Sequence, residues 1–156
     1  ELIIAPTGYY VCYKDNFTDG TITENFAEKE LLKAKERKTA ENDKKAALAL
    51  NHTFTIEVGA DKTACEFIYN EKTERNLNSS AIGFLAGQYE TKQWTDEQGI
   101  TVDLTAEDVA AVLLTFNDFA NAIWQKWGEF YKQIETAQTI EELNEIEINY
   151  NENTYD

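Results

Sequence analysis

The feature that most constrains the fold is a long apolar stripe in the last third of the chain. Between residues 106 and 137, apolar side chains recur at spacings of three and four, which places them on one side of an α-helix. At about 1.5 Å per residue, this helix would be on the order of 45–50 Å long, more than a compact domain of this size requires. The helix therefore either serves as the platform for shorter elements or associates with copies of itself.

Three β-hairpins are predicted ahead of the stripe. Residues 2–13, 53–69 and 93–104 each contain two short β-prone runs separated by turn-forming residues. A helix is expected between the second and third hairpins, over about residues 77–89, although two glycines weaken its pattern. The predicted fold class is α+β, with short antiparallel hairpins packed with a long C-terminal helix, plus an exposed charged N-terminal helix.

The junction between the third hairpin and the long helix gathers an aromatic residue, acids and a turn. Thr105 is suited to be the N-cap, and Asp108 lies at the third helical position, facing the positive end of the helix dipole. Leu104 and Val109 have the spacing of a hydrophobic staple. The junction is thus explained as a helix start and requires no catalytic role.

A charged helix is predicted over residues 24–50, capped by Thr23 or Asn25. Its middle offers little for burial beyond the Ala34 methyl group and lysine stems. We expect an exposed arm, or a helix that finds its partner on another chain. The predicted organisation is an N-terminal hairpin or attachment element (1–23), the charged helix (24–50), an α+β domain with its long helix at 106–137 (51–150), and a polar tail (151–156).

Charge and composition argue against several functions. Fourteen basic against 29 acidic residues give a net charge of −15, which disfavours nucleic acid and membrane surfaces as partners. His52 is the single histidine, so multi-histidine metal sites are excluded, and we read it as a solvent-facing loop residue. Cys12 and Cys65 are read as free thiols, with one bridge between them left open. No catalytic, metal or cofactor-binding residues are predicted, and an enzyme is not expected.

Aromatic side chains are the candidates for contacting a partner. Tryptophan and tyrosine anchor many interfaces, although burial in the core is their commoner role. The interaction candidates are Trp94, Tyr89, Trp124, Trp127 and Tyr131. Trp94 is the one whose position no local structural signal explains. An alternative function is a cell-surface module that binds glycans through exposed Trp and Tyr side chains.

A family resemblance covers about residues 44–150. It rests on a Lys/Glu-rich helix that leads into "TFTIEVGADKTACEFIY", then on the Trp94 turn followed by "VDLTAEDVAAVL", and finally on "KQIETAQTIEELNEI". These segments resemble a family of phage and prophage tail-region proteins whose domain has no assigned function. The N-terminal hairpin departs from a typical member.

The resemblance implies a non-enzymatic structural protein of a phage tail or tail fibre. It would be made in the bacterial host cytoplasm and located in the virion tail. Its partners would be other tail or tail-fibre proteins and, as a homo-oligomer, further copies of this chain. A tail-fibre assembly chaperone, absent from the finished particle, is the alternative within the same biology.

Overall fold

The fold is described from a computed structural model, which covers residues 24–150 and four short strands before them, with side chains from residue 26 onward. Thr23, Cys12 and the tail at 151–156 lie outside the described residues. The elements in chain order are β1 (Leu2–Ala5), β2 (Gly8–Val11), β3 (Phe17–Thr18), β4 (Thr21–Ile22), α1 (Glu24–Ala49), β5 (Thr53–Val58), β6 (Thr63–Ile68), α2 (Glu71–Leu85), β7 (Lys92–Thr95), β8 (Thr101–Leu104), α3 (Ala106–Thr136) and α4 (Ile140–Glu145).

The architecture is α+β, as predicted, and the strands of the described part pair only as antiparallel hairpins. The three predicted hairpins are β1–β2, β5–β6 and β7–β8. A small hairpin of β3 and β4, in which Phe17 pairs with Ile22, is not among the predicted ones. Strands of two residues are too short to show the alternation that identifies a strand.

The chain forms two compact units, one from residues 1–44 and 128–148, the other from residues 45–127 and 149–156. In the first unit, Lys35 of α1 donates a hydrogen bond through Nζ to the Glu135 carbonyl of α3, at 2.6 Å. Half-buried side chains, including Ala34, alternate with exposed ones along α1. The helix therefore exposes one charged face, as expected, while its other face is buried within this chain at Phe26 and Asn42.

The second unit has an aromatic core in which the β5–β6 hairpin packs on α3. The Phe54 ring lies 5.7 Å from Phe116 and 5.2 Å from Phe119, and Tyr69 meets Phe116 edge-on at 5.3 Å. Along this part of α3 the stripe is buried at Val109, Val112, Phe116, Phe119 and Ile123. The stripe is thus a packing face of the unit, because its buried positions meet hairpin side chains.

The predicted helix start at Thr105 is present, and its hydrogen bonds reach beyond the helix to another element. The Asp108 amide donates to Thr105 Oγ1, while the Asp108 carboxylate accepts hydrogen bonds from the Thr105 amide and hydroxyl, both at 2.9 Å. The same carboxylate oxygen accepts from the Gly59 amide in the β5–β6 turn, at 3.2 Å. Gly59 has φ +74°, a left-handed conformation that glycine adopts without strain. One side chain therefore joins the start of α3 to the hairpin that packs on it.

These contacts set the ionisation of Asp108. Partial burial raises the pKa of its carboxyl, but the hydrogen bonds from Thr105 and Gly59 outweigh this effect, so the pKa lies below its ordinary value. A carboxyl whose pKa is lower in the folded than in the unfolded state stabilises the fold above its unfolded-state pKa. That contribution disappears as the pH falls through the folded-state pKa.

We predict that Asp108→Asn lowers the free energy of unfolding at pH 7 by about 1–2 kcal/mol, because an amide oxygen is a weaker acceptor than a carboxylate. The difference between the two proteins should shrink as the pH falls below the unfolded-state pKa of about 3.9 toward the lower folded-state pKa, because the carboxyl then gains its proton. Urea unfolding at several pH values measures this. Asp103→Asn, at an exposed strand position, is the matched control and should change little. Equal losses for both variants would contradict the assigned role of Asp108.

A close approach between α2 and the segment after it requires a glycine. A Cβ atom added at Gly83 would overlap the Tyr89 ring, which packs edge-on against Phe84 at 4.8 Å. The Tyr89 hydroxyl donates to the Ser80 carbonyl at 3.0 Å, which holds the ring in place. Gly83, a weak point of the predicted helix, is therefore the residue that lets the chain fold back along α2.

We expect Gly83→Ala to lower the free energy of unfolding by about 1–3 kcal/mol, since the new methyl group would displace the Tyr89 ring from its packed position. Gly128→Ala is the matched control, because that helical position has open space around it. The control should raise stability by roughly 0.5–1 kcal/mol through its better helix propensity. Thermal unfolding of both variants gives the comparison, and a neutral or stabilising Gly83→Ala would refute the close approach.

Candidate functional site

Trp94, the aromatic residue that local sequence signals left unexplained, is held inside the second unit. Its ring stacks on Phe67 of β6, with centroids 5.7 Å apart and planes inclined by 29°. The side chain is half-buried, and its indole N–H has no hydrogen-bond acceptor among the described residues. A buried donor without an acceptor costs about 1–3 kcal/mol, which the stacked ring must offset. Trp94 thus joins the β7–β8 hairpin to the β5–β6 hairpin.

Tyr89 also has an internal role. Besides its contacts with Phe84 and Ser80, its ring lies 5.5 Å from the Lys92 ammonium group, close enough for a cation–π interaction. The side chain is half-buried and closes the C-terminal end of α2. Trp94 and Tyr89 therefore stabilise the fold through internal contacts, which leaves less of each side chain for binding a partner.

The remaining three aromatic candidates lie on α3. Trp124 is 51% exposed and meets the half-buried Trp127 edge-on, with ring centroids 6.0 Å apart. Tyr131 is exposed and belongs to the other unit. The structure brings Trp124 and Trp127 together. Of the five predicted residues, Trp124 is the tryptophan that presents most of its ring to a partner.

Asp96, in the turn between β7 and β8, organises the contact between the β7–β8 and β5–β6 hairpins. Its carboxylate accepts hydrogen bonds from the Gln98 and Ile100 amides at 2.9 and 2.8 Å, within its own turn. It also accepts from the Glu66 amide of β6 at 3.1 Å. The Glu66 bond and those within the turn hold the pKa of Asp96 below its ordinary value.

Cys65 lies beside this carboxylate and is a free, fully buried thiol. Burial, together with the negative charge of Asp96, raises the pKa of Cys65 to about 11. The reactive form of cysteine is the thiolate, so this thiol is unsuited to nucleophilic or redox chemistry at neutral pH. Cys12, the other half of the bridge left open in the sequence, lies outside the described residues.

An apolar surface between α2 and α3 was not predicted from the sequence. It surrounds an open groove of about 310 Å³ whose lining contains no charged residue, namely Ala81, Phe84, Leu85, Ala106, Ala110 and Leu113. Leu85 is 89% exposed, and Ile82, one turn away on α2, is 67% exposed. Leu114, 62% exposed, follows Ala110 by one turn on α3. We call these eight residues the α2/α3 apolar surface.

A signal for this surface was present in the sequence. Leu77 and Phe84 occupy one side of α2, whereas Ile82 and Leu85 lie outside it. Neighbours packed on one side of the helix therefore cannot bury all four residues. Exposed apolar side chains that are contiguous, and not scattered, indicate an interaction site.

Neither a metal site nor a membrane span is found among the described residues. Residues 26–150 contain no group of three or more His, Cys, Asp or Glu side chains placed to hold a metal ion. His52 is exposed, as predicted, and its ring lies 4.6 Å from Phe54. Among the described helices, none has both the length and the apolar character needed to cross a bilayer.

Comparison with known proteins gives one family. The family described as a domain of unknown function, DUF4376, matches residues 33–150, which include α2, α3 and both hairpins of the second unit. No curated protein and no solved structure is significantly similar to the chain. Since the match spans well over half of the sequence, the chain belongs to the DUF4376 family.

Proposed function

We propose that this chain is a non-enzymatic structural protein of a phage tail or tail fibre, which works through protein–protein contacts and assembles with copies of itself. The observation that carries the proposal is the α2/α3 apolar surface, with Leu85, Ile82 and Leu114 all more than half exposed. Each such side chain, when fully buried, contributes about 1.5–3 kcal/mol. A surface of this kind in a chain of net charge −15 favours a partner that covers it.

The charge of the chain is compatible with self-association at this surface. None of the residues that line the groove is charged, so no like-charged side chains are forced together there. Exposed charges farther away than about 8–10 Å are largely screened at physiological ionic strength. Apolar contact can therefore outweigh the repulsion between two acidic chains.

The tail-region part of the proposal rests on the resemblance described for residues 44–150. It implies partners among other tail or tail-fibre proteins, a place in the virion tail, and synthesis in the host cytoplasm. A chain whose described thiol is unreactive, and whose described residues offer no metal cluster, supports a structural role better than a catalytic one.

Glycan binding remains the alternative from another functional class. The aromatic candidates for a glycan platform are Trp94, Tyr89 and Tyr131. The first two are half-buried and engaged within the fold, whereas Tyr131 is exposed. Protein–protein contact through the α2/α3 apolar surface is therefore the function with the stronger structural support.

Self-association predicts a concentration-dependent oligomer that Leu85→Glu converts to a monomer, because a carboxylate would be buried against the apolar groove without a partner. Multi-angle light scattering across a hundredfold range of concentration measures this. Leu48→Glu is the matched control, since Leu48 is also exposed (64%) but lies on α1, outside the groove lining. That control should keep the wild-type mass. A wild-type protein that is monomeric at the highest concentration would contradict the proposal.

A virion component should be found in purified phage particles, in a fixed ratio to other tail proteins, when the particles are analysed by quantitative mass spectrometry. The assembly-chaperone alternative gives the opposite result, because a chaperone leaves before the particle is complete. A chain abundant in infected cells but absent from particles would therefore replace the structural role with the chaperone role.

A further inference from the structure

The outer edge of β5 is an exposed row of backbone hydrogen-bonding groups. The Tyr69 amide donates to the His52 carbonyl at 2.9 Å, which makes these two residues a hydrogen-bonded pair of the hairpin. Hydrogen-bonded and non-hydrogen-bonded pairs alternate along an antiparallel ladder. Thr53, Thr55 and Glu57 therefore direct their N–H and C=O groups away from β6.

The partner strand confirms this alternation. Glu66, which lies opposite Thr55, directs its amide away from β5, where Asp96 accepts it at 3.1 Å. The outer edge of β6 is thus satisfied at this point by a side chain from the next hairpin. On β5, Thr53, Thr55 and Glu57 are exposed, and their outward amides have no acceptor among the described residues.

A groove runs beside this edge. It has a volume of about 590 Å³ and is lined by two elements of the second unit, β5 with the residue before it (His52, Thr53, Phe54, Thr55, Ile56) and α3 (Thr115, Asp118, Phe119). Five consecutive residues line the groove. Because successive side chains of a strand point to opposite faces, such a lining shows that the groove follows the edge of the strand. The groove therefore offers space for one more strand, with apolar rings beside it.

We propose that β5 binds an extended, basic segment of a partner protein as a third strand of the β5–β6 sheet. Addition of a strand to a free edge uses backbone hydrogen bonds for affinity and side-chain pockets for specificity. The alternate side chains of the added strand would contact Phe54 and Phe119 in the groove, and the others would lie beside Thr53, Thr55 and Glu57.

Charge favours a basic partner over a second copy of this chain. Asp118 in the groove and Glu57 on the edge are acidic, and the groove lining has no lysine or arginine. A partner rich in lysine or arginine would pair with both carboxylates, and the net charge of −15 would steer it toward the chain. A second acidic copy lacks this complementarity, and one added strand alone covers much less than the roughly 1,200–2,000 Å² of a stable dimer.

The test uses two capped peptides of alternating composition, Lys-Val-Lys-Val-Lys-Val-Lys and its Glu-for-Lys counterpart, added to the full ¹⁵N-labelled chain. The lysine peptide should shift the amide resonances of Thr53, Thr55 and Glu57 and slow their hydrogen exchange. The glutamate peptide should bind at least about tenfold more weakly, because it meets like charges. If the lysine peptide leaves these three amides unchanged, the proposal is wrong.

Two sets of variants make the result specific. Thr55→Pro removes an outward amide that plays no part in the hairpin and should abolish binding, whereas Ala64→Pro removes one from the outer edge of β6 and should preserve it. The double variant Glu57→Lys with Asp118→Lys alters exposed side chains only and should prefer the glutamate peptide. Equal binding by Thr55→Pro and Ala64→Pro, an unchanged preference in the double variant, or a wild-type dimer that Thr55→Pro dissociates would each overturn the proposal. Because these variants lie outside the α2/α3 apolar surface, their failure would be distinguishable from failure of self-association through that surface.

Discussion

The second unit depends on one carboxylate that serves two elements. Asp108 completes the start of α3 at Thr105 and accepts the Gly59 amide from a turn that lies 49 residues earlier in the chain. This contact fixes the end of the β5–β6 hairpin over the first turn of the helix. The packing of Phe54 against Phe116 and Phe119 follows, because the hairpin can then lie along α3 in one register. Asp96 has a similar role, because its carboxylate accepts the Glu66 amide and so joins the β7–β8 hairpin to β6.

This way of building a unit leaves surfaces uncovered. Hairpins of two strands have two outer edges each. The Asp96 carboxylate accepts the Glu66 amide at one point on the outer edge of β6, and the described residues offer no such acceptor to β5. Helix α2 packs through Leu77, which is fully buried, and leaves Leu85 and Ile82 at the surface beside α3. A small unit with an aromatic core, whose hairpins are joined by a few polar contacts, thus presents an apolar surface and a free strand edge for contacts with other chains.

Local signals in the sequence predicted the local structure well. The Thr105 and Asp108 cap, the apolar stripe of α3 and the hairpin turns each depend on residues within a few positions of one another. Local signals could not predict the hydrogen bond from Gly59 to Asp108 or the packing of Tyr89 against Gly83. These contacts join segments that are distant in sequence or run in opposite directions. The same applies to Lys35 of α1, whose partner is a backbone carbonyl of α3. Trp94 was named as an interaction candidate because no local signal explained its position, and it packs on Phe67, which lies on a strand of another hairpin.

The central claim is that the α2/α3 apolar surface meets another copy of this chain, and methyl NMR during dilution tests it most directly. The account predicts that the methyl resonances of Ile82, Leu85 and Leu114 shift or broaden with increasing concentration, while those of the exposed Leu48 stay constant. Concentration-independent resonances at all four residues would contradict it.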